Sequence, residues 1–461
     1  MRLLVVRSLL PVFALAISCS SAGSQVAYDS LAQEMLSFGL RKGEAYALLT
    51  ELTTIAGHRL SGSRGAEIAV DLTKTMMEQR GFDNVHLEPV MVPHWVRGPV
   101  EEVMVIDGSG GVEESLTICA LGGSIGTPEE GIEAPVVEVQ NFDDLRELGS
   151  AARGKIIFMN RGFDHGHLNA FAAYGGAVDQ RSRGAIEAAK AGAVGVLVRS
   201  MTHAVDDVPH TGAMNYEDGT TKIPAAAIST LDADRLSGLL KERSQVRVRL
   251  RLSARTLEDV QSYNVIGQLT GSEFPDEIIV VGGHLDSWDK GTGAHDDGAG
   301  CMQAIEAVNL LKRIGLKPKR TIRAVMFMNE ENGVRGGNGY PLDSRRKGEA
   351  HVAALESDRG GFAPRGISVH ADSSVLERVR RWQPLFELLN AGRIEPGYGG
   401  VDIAPLVRQG VPGFGLVVET HRYFDYHHSD NDTIEKVNPR ELQMGAIVEA
   451  LLCYLISEEG L

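Results

Sequence analysis

The feature that most constrains the fold is a regular alternation of strand-like and helix-like segments after residue 262. The strand-like segments are short and almost continuously apolar, which is typical of strands buried on both faces of a sheet. The predicted elements are strands at 277–283, 321–329, 352–356 and 414–418, and helices at 298–314 and 439–457. This alternation predicts an α/β fold with a mostly parallel sheet that is covered by helices on both faces.

The N-terminal part of the chain predicts further elements of the same main domain. The expected elements are helices at 31–38, 45–56 and 65–79 and strands at 85–92 and 101–106. We therefore assign residues 23–125 to the first part of this domain. Residues 256–461 are its second part, which carries the candidate chemistry.

Residues 126–255 have a different pattern. Short apolar strands are predicted at 155–160, 193–200 and 224–229, with a small helix at 184–191. Arginine alternates with apolar residues from 246 to 255, which is the period of a half-exposed strand. These features predict a small β-rich module inserted into the main domain. Its histidines lack ligand spacing, so we expect all four on the surface: His165, His167, His203 and His210.

The charge balance excludes one class of partner. Asp and Glu together number 61 against 46 for Lys and Arg, which gives a formal net charge of −15. A surface of this sign repels phosphates, and no basic block interrupts it. We therefore expect no nucleic acid partner.

Residues 1–22 predict export. Arg2 and Arg7 precede an apolar run from Leu9 to Ile17, and small residues follow, as in a secretory signal peptide. Two cleavage sites fit: a lipobox that would leave a lipid anchor at Cys19, and ordinary cleavage after Ala22. The apolar run is too short to span a bilayer, and no later segment reaches that length. The expected location is secreted, periplasmic or lipid-anchored to the cell envelope.

Side chains of the metal-binding type follow the strands of the main domain. They are His284, Asp296, Glu330, Glu331, Asp358, His427 and His428. Ligands gather outside the carboxyl ends of strands in open α/β sheets, so these side chains are expected to meet. Imidazole and carboxylate ligands without thiolate favour Zn²⁺ or another divalent ion, and their number suits two ions. The Glu330–Glu331 pair provides one ligand and one further carboxylate to move protons.

The same segments resemble a known family. They are Gly-His-Leu-Asp-Ser at 283–287, Asp-Asp-Gly at 296–298, Glu-Glu at 330–331, Glu-Ser-Asp at 356–358 and His-His-Ser at 427–429. Together they are similar to the co-catalytic zinc peptidases related to aminopeptidase Y and glutamate carboxypeptidase. The similarity covers nearly the whole chain after the signal and includes Val92–Trp95 and Pro209–Gly212.

The resemblance implies two zinc ions per chain held by five protein ligands. One ion would be bound by His284 and Asp358 and the other by Glu331 and His428, with Asp296 as the bridge. A cis peptide bond would follow Asp296. The resemblance also implies that residues 126–255 are a protease-associated domain and that the protein is a homodimer.

The resemblance also implies roles for two carboxylates that do not bind the ions. Glu330 would be the general base, and the Asp286 carboxylate would orient the imidazole of His284. His295 and His427 are expected not to bind metal. The sequence does not decide whether Asp430 and Asp432 support the ligands or cap loops. Glu419, His421 and Tyr423 depart from the family pattern beside His428.

The expected function is metal-assisted hydrolysis of dipeptides and other short peptides by an exopeptidase, a carboxypeptidase or dipeptidase. An aminopeptidase of the same family is the alternative. Two further hypotheses are a one-zinc transferase similar to glutaminyl cyclase and a non-catalytic relative similar to transferrin receptors. The complete five-ligand set argues against both, because such proteins keep fewer ligands.

Overall fold

The structure is a computed structural model that describes residues 19–461. Residues 1–18 of the predicted signal peptide, and the side chains of residues 19–27 and 344, lie outside this description. Two eight-stranded sheets organise the described chain. Within it, no helix is both long and apolar enough to cross a membrane.

The first sheet confirms the predicted α/β class. Its strands, in spatial order, are Asp83–Val96, Arg255–Leu269, Arg320–Phe327, Phe274–His284, Ala350–Glu356, Gly413–Val418, Pro364–His370 and Arg393–Pro396. The four strands that carry candidate ligands are neighbours in this order and run parallel to one another. Antiparallel pairs occur on both sides of this parallel centre, so the sheet as a whole is mixed.

Helices cover the first sheet. The longer ones are Cys19–Lys42, Ala45–Ile55, Arg64–Gln79, Ala299–Arg313 and Pro439–Glu459. The shorter ones in this part of the chain are Arg335–Gly339, Ser373–Arg380, Gln383–Glu387 and Ala404–Val407. The last long helix has a well-defined start, because Asn438 accepts the N–H groups of Arg440 and Glu441 while Pro439 occupies the first turn.

The helix Ala299–Arg313 lies directly behind the strand that ends at His284. Its residues from Ala299 to Leu311 are all buried. A side chain at Gly283 would place its Cβ 2.3 Å from an Asp297 carboxylate oxygen and 2.9 Å from the Cys301 nitrogen. Glycine is therefore required for the helix to approach the strand this closely.

The second sheet is formed by residues 101–252. Its order is Val112–Leu116, Glu101–Ile106, Arg247–Leu252, Ile132–Val139, Ile156–Met159, Gly195–Arg199, Ala225–Ile228 and Ile118–Ala120. Helices Phe142–Leu148, Ala170–Ala177, Asp179–Ser182, Gly184–Lys190 and Thr230–Glu242 accompany these strands. The module is therefore richer in helix than the sequence pattern indicates.

One strand assignment was wrong. Residues 101–106 were expected in the main domain, but they pair with Arg247–Leu252 and Val112–Leu116 in the second sheet. Val103 and Val105 are buried there in the core of that sheet. An alternating apolar pattern predicts a strand, but it does not predict the sheet to which the strand belongs. Strand pairing depends on partners that are far away in sequence. The division of the chain into domains remains a prediction.

Candidate metal centre

The predicted ligands meet at the carboxyl edge of the parallel strands. His284 stands opposite Phe327 in the neighbouring strand, and Gly282 stands opposite Glu356 on the other side. The segments that follow Phe327 and Glu356 therefore start beside His284. This register brings Glu331 and Asp358 to the same edge, as the sequence predicts.

His284 forms the first half of the cluster. Its Nε2 lies 3.2 Å from Asp296 Oδ1 and 3.5 Å from Asp358 Oδ1. On the other side of the ring, Nδ1–H donates to the main-chain oxygen of Asp286 at 3.0 Å. This hydrogen bond fixes the tautomer that leaves Nε2 free to bind a metal ion.

His428 forms the second half. Its Nε2 lies 3.1 Å from Glu331 Oε2 and 3.2 Å from Asp296 Oδ2. Its Nδ1 lies 3.3 Å from the main-chain oxygen of Thr211, a residue of the second-sheet region. The φ angle of His428 is 60°, which lies in the left-handed region. Non-glycine residues adopt this conformation uncommonly, and such residues cluster at functional sites.

Asp296 joins the two halves. Its Oδ1 faces His284, and its Oδ2 faces His428. The backbone N–H of Asp296 donates to Asp432 Oδ2 at 3.1 Å, and that of His295 donates to Asp432 Oδ1 at 2.7 Å. Asp432 therefore holds the segment that carries the bridge. The Asp296–Asp297 peptide bond is cis, as the resemblance implies.

The spacing of the donor atoms fits zinc. Ligands about 2.0–2.1 Å from a tetrahedral ion lie roughly 3.3–3.4 Å from each other. The four distances among His284, Asp296, Asp358, Glu331 and His428 run from 3.1 to 3.5 Å. Asp296 Oδ2 and Glu331 Oε1 are buried and accept no hydrogen bond from any described residue. A buried carboxylate oxygen without a donor is explained if it binds a cation.

The pKa values of the two histidines in the cluster also indicate a site that attracts cations. Burial lowers the pKa of His428, but Glu331 and Asp296 outweigh this effect and raise it to about 10. Burial also opposes protonation of His284, yet the contacts with Asp296 and Asp358 raise its pKa well above the usual value. The carboxylates therefore attract positive charge, which either protons or metal ions provide.

The predicted contact between the Asp286 carboxylate and His284 was wrong. The carboxylate lies 3.9 Å from Nδ1, beyond hydrogen-bond distance. It accepts the N–H groups of Asn329, Glu330 and Glu331 instead, at 2.7, 3.0 and 3.3 Å. Asp286 therefore orients His284 through its main chain and the Glu330–Glu331 turn through its side chain. Three backbone donors offer a carboxylate more hydrogen bonds than one imidazole.

Glu330 lies beside the ligands in the cleft and is half-buried. Burial, with Asp358 and Glu331 close by, raises the pKa of its carboxyl well above the usual value. No described residue donates a hydrogen bond to its side-chain oxygens. A free carboxylate with a raised pKa has the property that a general base near neutral pH needs.

The two neighbouring histidines differ in their surroundings. His295 stacks between Phe362 and Tyr426, at ring-centroid distances of 4.3 and 5.4 Å, and its Nδ1 accepts the N–H of Gly361. It does not face the cluster. His427 Nε2 lies 3.6 Å from Asp296 Oδ2, so it is also within reach of an ion held by Asp296. Its exclusion as a ligand remains a prediction.

The second-sheet region forms one wall of the cleft, which has a volume of about 230 Å³. The cleft is lined by Phe171, Tyr174, Arg181 and Ala213 from that region, and by Asp296, Glu330, Glu331, Asp358, Tyr423, Phe424, His427 and His428. The expectation that His210 lies on the surface was wrong. It is buried, and its Nδ1–H donates to the His427 main-chain oxygen at 2.7 Å.

Two arginines near the candidate ligands were not predicted. Arg59 is fully buried and donates to the main-chain oxygens of Leu285, Thr292 and Gly293, which hold the loop between His284 and Asp296. Arg181 lies 3.3 Å from His428 Nδ1. Neither has a local sequence signal, because both act on loops distant in the chain.

Comparison with known proteins identifies the family. Residues 264–452 match the sequence profile of "Peptidase family M28". Carboxypeptidase Q of Bos taurus is 35% identical over 434 residues, which cover 94% of this chain and 89% of the relative. The chain belongs to peptidase family M28. Segments such as Gly282–Asp289 resemble carboxypeptidase Q in particular, and this identity confirms the resemblance.

Solved structures agree with this assignment. A peptidase M28 precursor from Shewanella amazonensis has a TM-score of 0.90 at 35% identity, over 95% of this chain and 98% of that one. A zinc aminopeptidase from Bacillus subtilis has a TM-score of 0.65 at 20% identity, over 90% and 95% of the two chains. The latter comparison shows a shared fold.

Proposed function

We propose that this M28 member is a two-zinc exopeptidase that hydrolyses peptide bonds in dipeptides and other short peptides. The observation that carries the proposal is the position of Asp296. Its two oxygens face two separate ligand groups, as a carboxylate that bridges two ions must. Residues His284 and Asp358 would hold one zinc ion, and Glu331 and His428 the other.

The residues around the cluster have separate tasks in hydrolysis. Bound zinc ions supply Lewis-acid polarisation of the scissile carbonyl and lower the pKa of water. Glu330 takes a proton from the attacking water and delivers it to the leaving amine. Asp286 positions Glu330 and Glu331 through their backbone N–H groups. The wall that contains Phe171 and Tyr174 limits the access of bulk water to the reacting groups.

The size of the cleft supports short substrates. A volume of about 230 Å³ is below the range of roughly 300–1,000 Å³ for drug-sized ligands. The bovine relative is a carboxypeptidase, and we propose carboxypeptidase or dipeptidase activity on this basis. Aminopeptidase activity is the second candidate, because the Bacillus subtilis protein of the same fold is an aminopeptidase.

Zinc content and a peptide panel test the proposal together. Two zinc ions per chain and cleavage of unblocked dipeptides are expected. One ion would favour a transferase similar to glutaminyl cyclase, and none would favour a binding protein. Dipeptides blocked at the amino or the carboxyl end then separate the two exopeptidase directions. Hydrolysis of long, doubly blocked peptides would contradict an exopeptidase.

We propose further that the protein is exported and forms a homodimer. The N-terminal pattern supports export, and mass spectrometry of the mature N-terminus tests it. A lipid-modified Cys19 would show an envelope anchor, and cleavage near Ala22 would show release. An intact Met1 would contradict both outcomes. Light scattering of the purified protein measures the oligomeric state, and a monomer would contradict the dimer.

A further inference from the structure

Arg359 is a cation that the proposed mechanism does not use. It directly follows Asp358, a proposed zinc ligand, and its side chain is half-buried. Its guanidinium carbon lies 5.7 Å from the ring centroid of Phe171. Phe171 in turn stacks on Tyr423 at 5.3 Å, and both rings line the cleft. Arg359 therefore adjoins the cleft through its sequence neighbour and through the aromatic wall.

The guanidinium of Arg359 has no acceptor. Among the residues that the structure describes, none accepts a hydrogen bond from it or forms an ion pair with it. Arg181, in the wall formed by the second-sheet region, differs in this respect. Its N–H groups donate to the main-chain oxygens of Thr211 and Ala213 and to the hydroxyl of Tyr174. A half-buried guanidinium with unused donors is able to bind an arriving anion.

The carboxylates whose negative charge acts on Arg359 are already engaged. They are Asp358 and Glu395. Asp358 points Oδ1 towards His284 at 3.5 Å, and Glu395 is paired with Arg393 at 2.7 Å. Neither carboxylate lies within ion-pair distance of Arg359. Its positive charge therefore remains available to a ligand in the cleft.

We propose that Arg359 is a specificity-determining residue that binds a carboxylate of the substrate. The inference rests on the proposed peptidase function. Guanidinium suits this role because it keeps its charge when partly buried, stacks on an aromatic ring and presents paired N–H donors to a carboxylate. The carboxylate comes from one of two sources, the C-terminus of a short peptide or an acidic side chain.

The test compares peptides that differ by one carboxylate. Ala-Phe against its C-terminal amide isolates the terminal carboxylate. Ala-Glu amide against Ala-Gln amide isolates the side-chain carboxylate. Arg359→Met is expected to lower kcat/KM roughly tenfold to a hundredfold for the carboxylate member of one pair, mainly through KM. The neutral member of that pair should change less than about threefold. Arg359→Lys should retain part of the preference, because the charge remains.

Arg380→Met is the matched control, because it removes an exposed charge whose partner, Glu377, is not among the groups that act on Arg359. Zinc content should be unchanged in all three variants. Equal losses on both members of each pair would overturn the proposal, since Arg359 would then act through Asp358. Unchanged discrimination in both pairs would overturn it as well.

A binding experiment separates this inference from the proposed function. Calorimetry compares phenylalanine with phenylalaninamide, and glutamate with glutamine, on the zinc-loaded protein. Weaker binding of the carboxylate form by the Arg359→Met variant supports the anion site even if the protein cleaves no peptide. Absence of cleavage by the unaltered protein would instead contradict the peptidase proposal.

Discussion

The two halves of the metal centre are built from different parts of the chain. The imidazole of His284 donates to Asp286, two residues away, and its half belongs to the first sheet alone. The imidazole of His428 lies against Thr211, which is 217 residues away in the second-sheet region. The donor atoms have similar spacing in both halves. The difference between the halves therefore lies in the residues that support the ligands.

This difference predicts unequal robustness. The His284 half depends on strand register and on one short turn. The His428 half also depends on docking of the segment around Thr211 and Arg181. Groups that orient a metal ligand typically affect metal affinity by 10- to 100-fold. A substitution that perturbs the second-sheet region should therefore weaken zinc binding in the His428 half and leave zinc binding in the His284 half unchanged.

The largest effect is expected where the two halves meet. Asp296→Ala should deplete both zinc ions and abolish turnover. Two dications within a few ångströms repel each other strongly unless an anionic group lies between them. Metal analysis at matched, buffered zinc tests this. Asp430→Ala is the control, because Asp430 is an exposed carboxylate of a nearby loop. A variant at position 296 that holds two ions as tightly as the unaltered protein would show that another group is the bridge.

Loss of one terminal ligand should separate the halves. His428→Ala should empty one site and leave about one zinc ion per chain, because Asp296 and His284 still hold the other. His284→Ala should do the converse. Metal content measured over a zinc titration resolves the two sites. Simultaneous loss of both ions in either variant would mean that the halves do not bind independently.

Substitutions in the Glu330–Glu331 turn should separate catalysis from metal binding, because Glu330 is the proposed general base and Glu331 is a proposed ligand. Glu330→Gln should lower kcat at least about 100-fold, which is the range for a lost general base. Both zinc ions should remain bound. Glu331→Gln is the matched comparison and should lose zinc from the His428 half. Near-normal turnover of the Glu330 variant, or loss of its metal, would contradict the assignment.

The smallest effect is expected in the second-sheet region. Arg181→Met removes the hydrogen bonds to Thr211 and Ala213 and should weaken zinc binding in the His428 half by roughly tenfold. The affinity of the His284 half should stay within about twofold. Arg183→Met, an exposed neighbour on the same segment, is the control. An equal loss of zinc affinity at both sites would contradict the prediction that only the His428 half depends on the second-sheet region.

Three of the candidate ligands, His284, Glu331 and Asp358, were predictable because they lie at or just after the ends of parallel strands, and the strand pattern is local. His284, Glu331 and Asp358 need only parallel register to meet. Family resemblance then supplied the role of each residue. The central strands and four of the five long helices were also predicted, since continuous apolar runs and helical spacing depend on burial close in sequence. Of the helix Cys19–Lys42, only residues 31–38 were expected.

The parts that could not be predicted depend on contacts between distant segments. His210 was expected on the surface because nothing near it in sequence indicates that it packs against His427. The strand 101–106 was placed in the wrong sheet because its partners come from 112–116 and 247–252. The Asp286 carboxylate found better donors at the Glu330–Glu331 turn than in the nearby imidazole.

The contact between Thr211 and His428 has a consequence for how the protein matures. The Thr211 N–H donates to the His428 oxygen at 2.9 Å, and the His428 imidazole faces the Thr211 oxygen in return. The His284 half has its ligands within residues 284–358, and Asp432 holds the segment of Asp296. The His428 half requires a segment synthesised early to meet one synthesised late. If two ions bind as proposed, a chain in which these segments have not met should bind only one of them, and occupancy of the second site would report correct assembly.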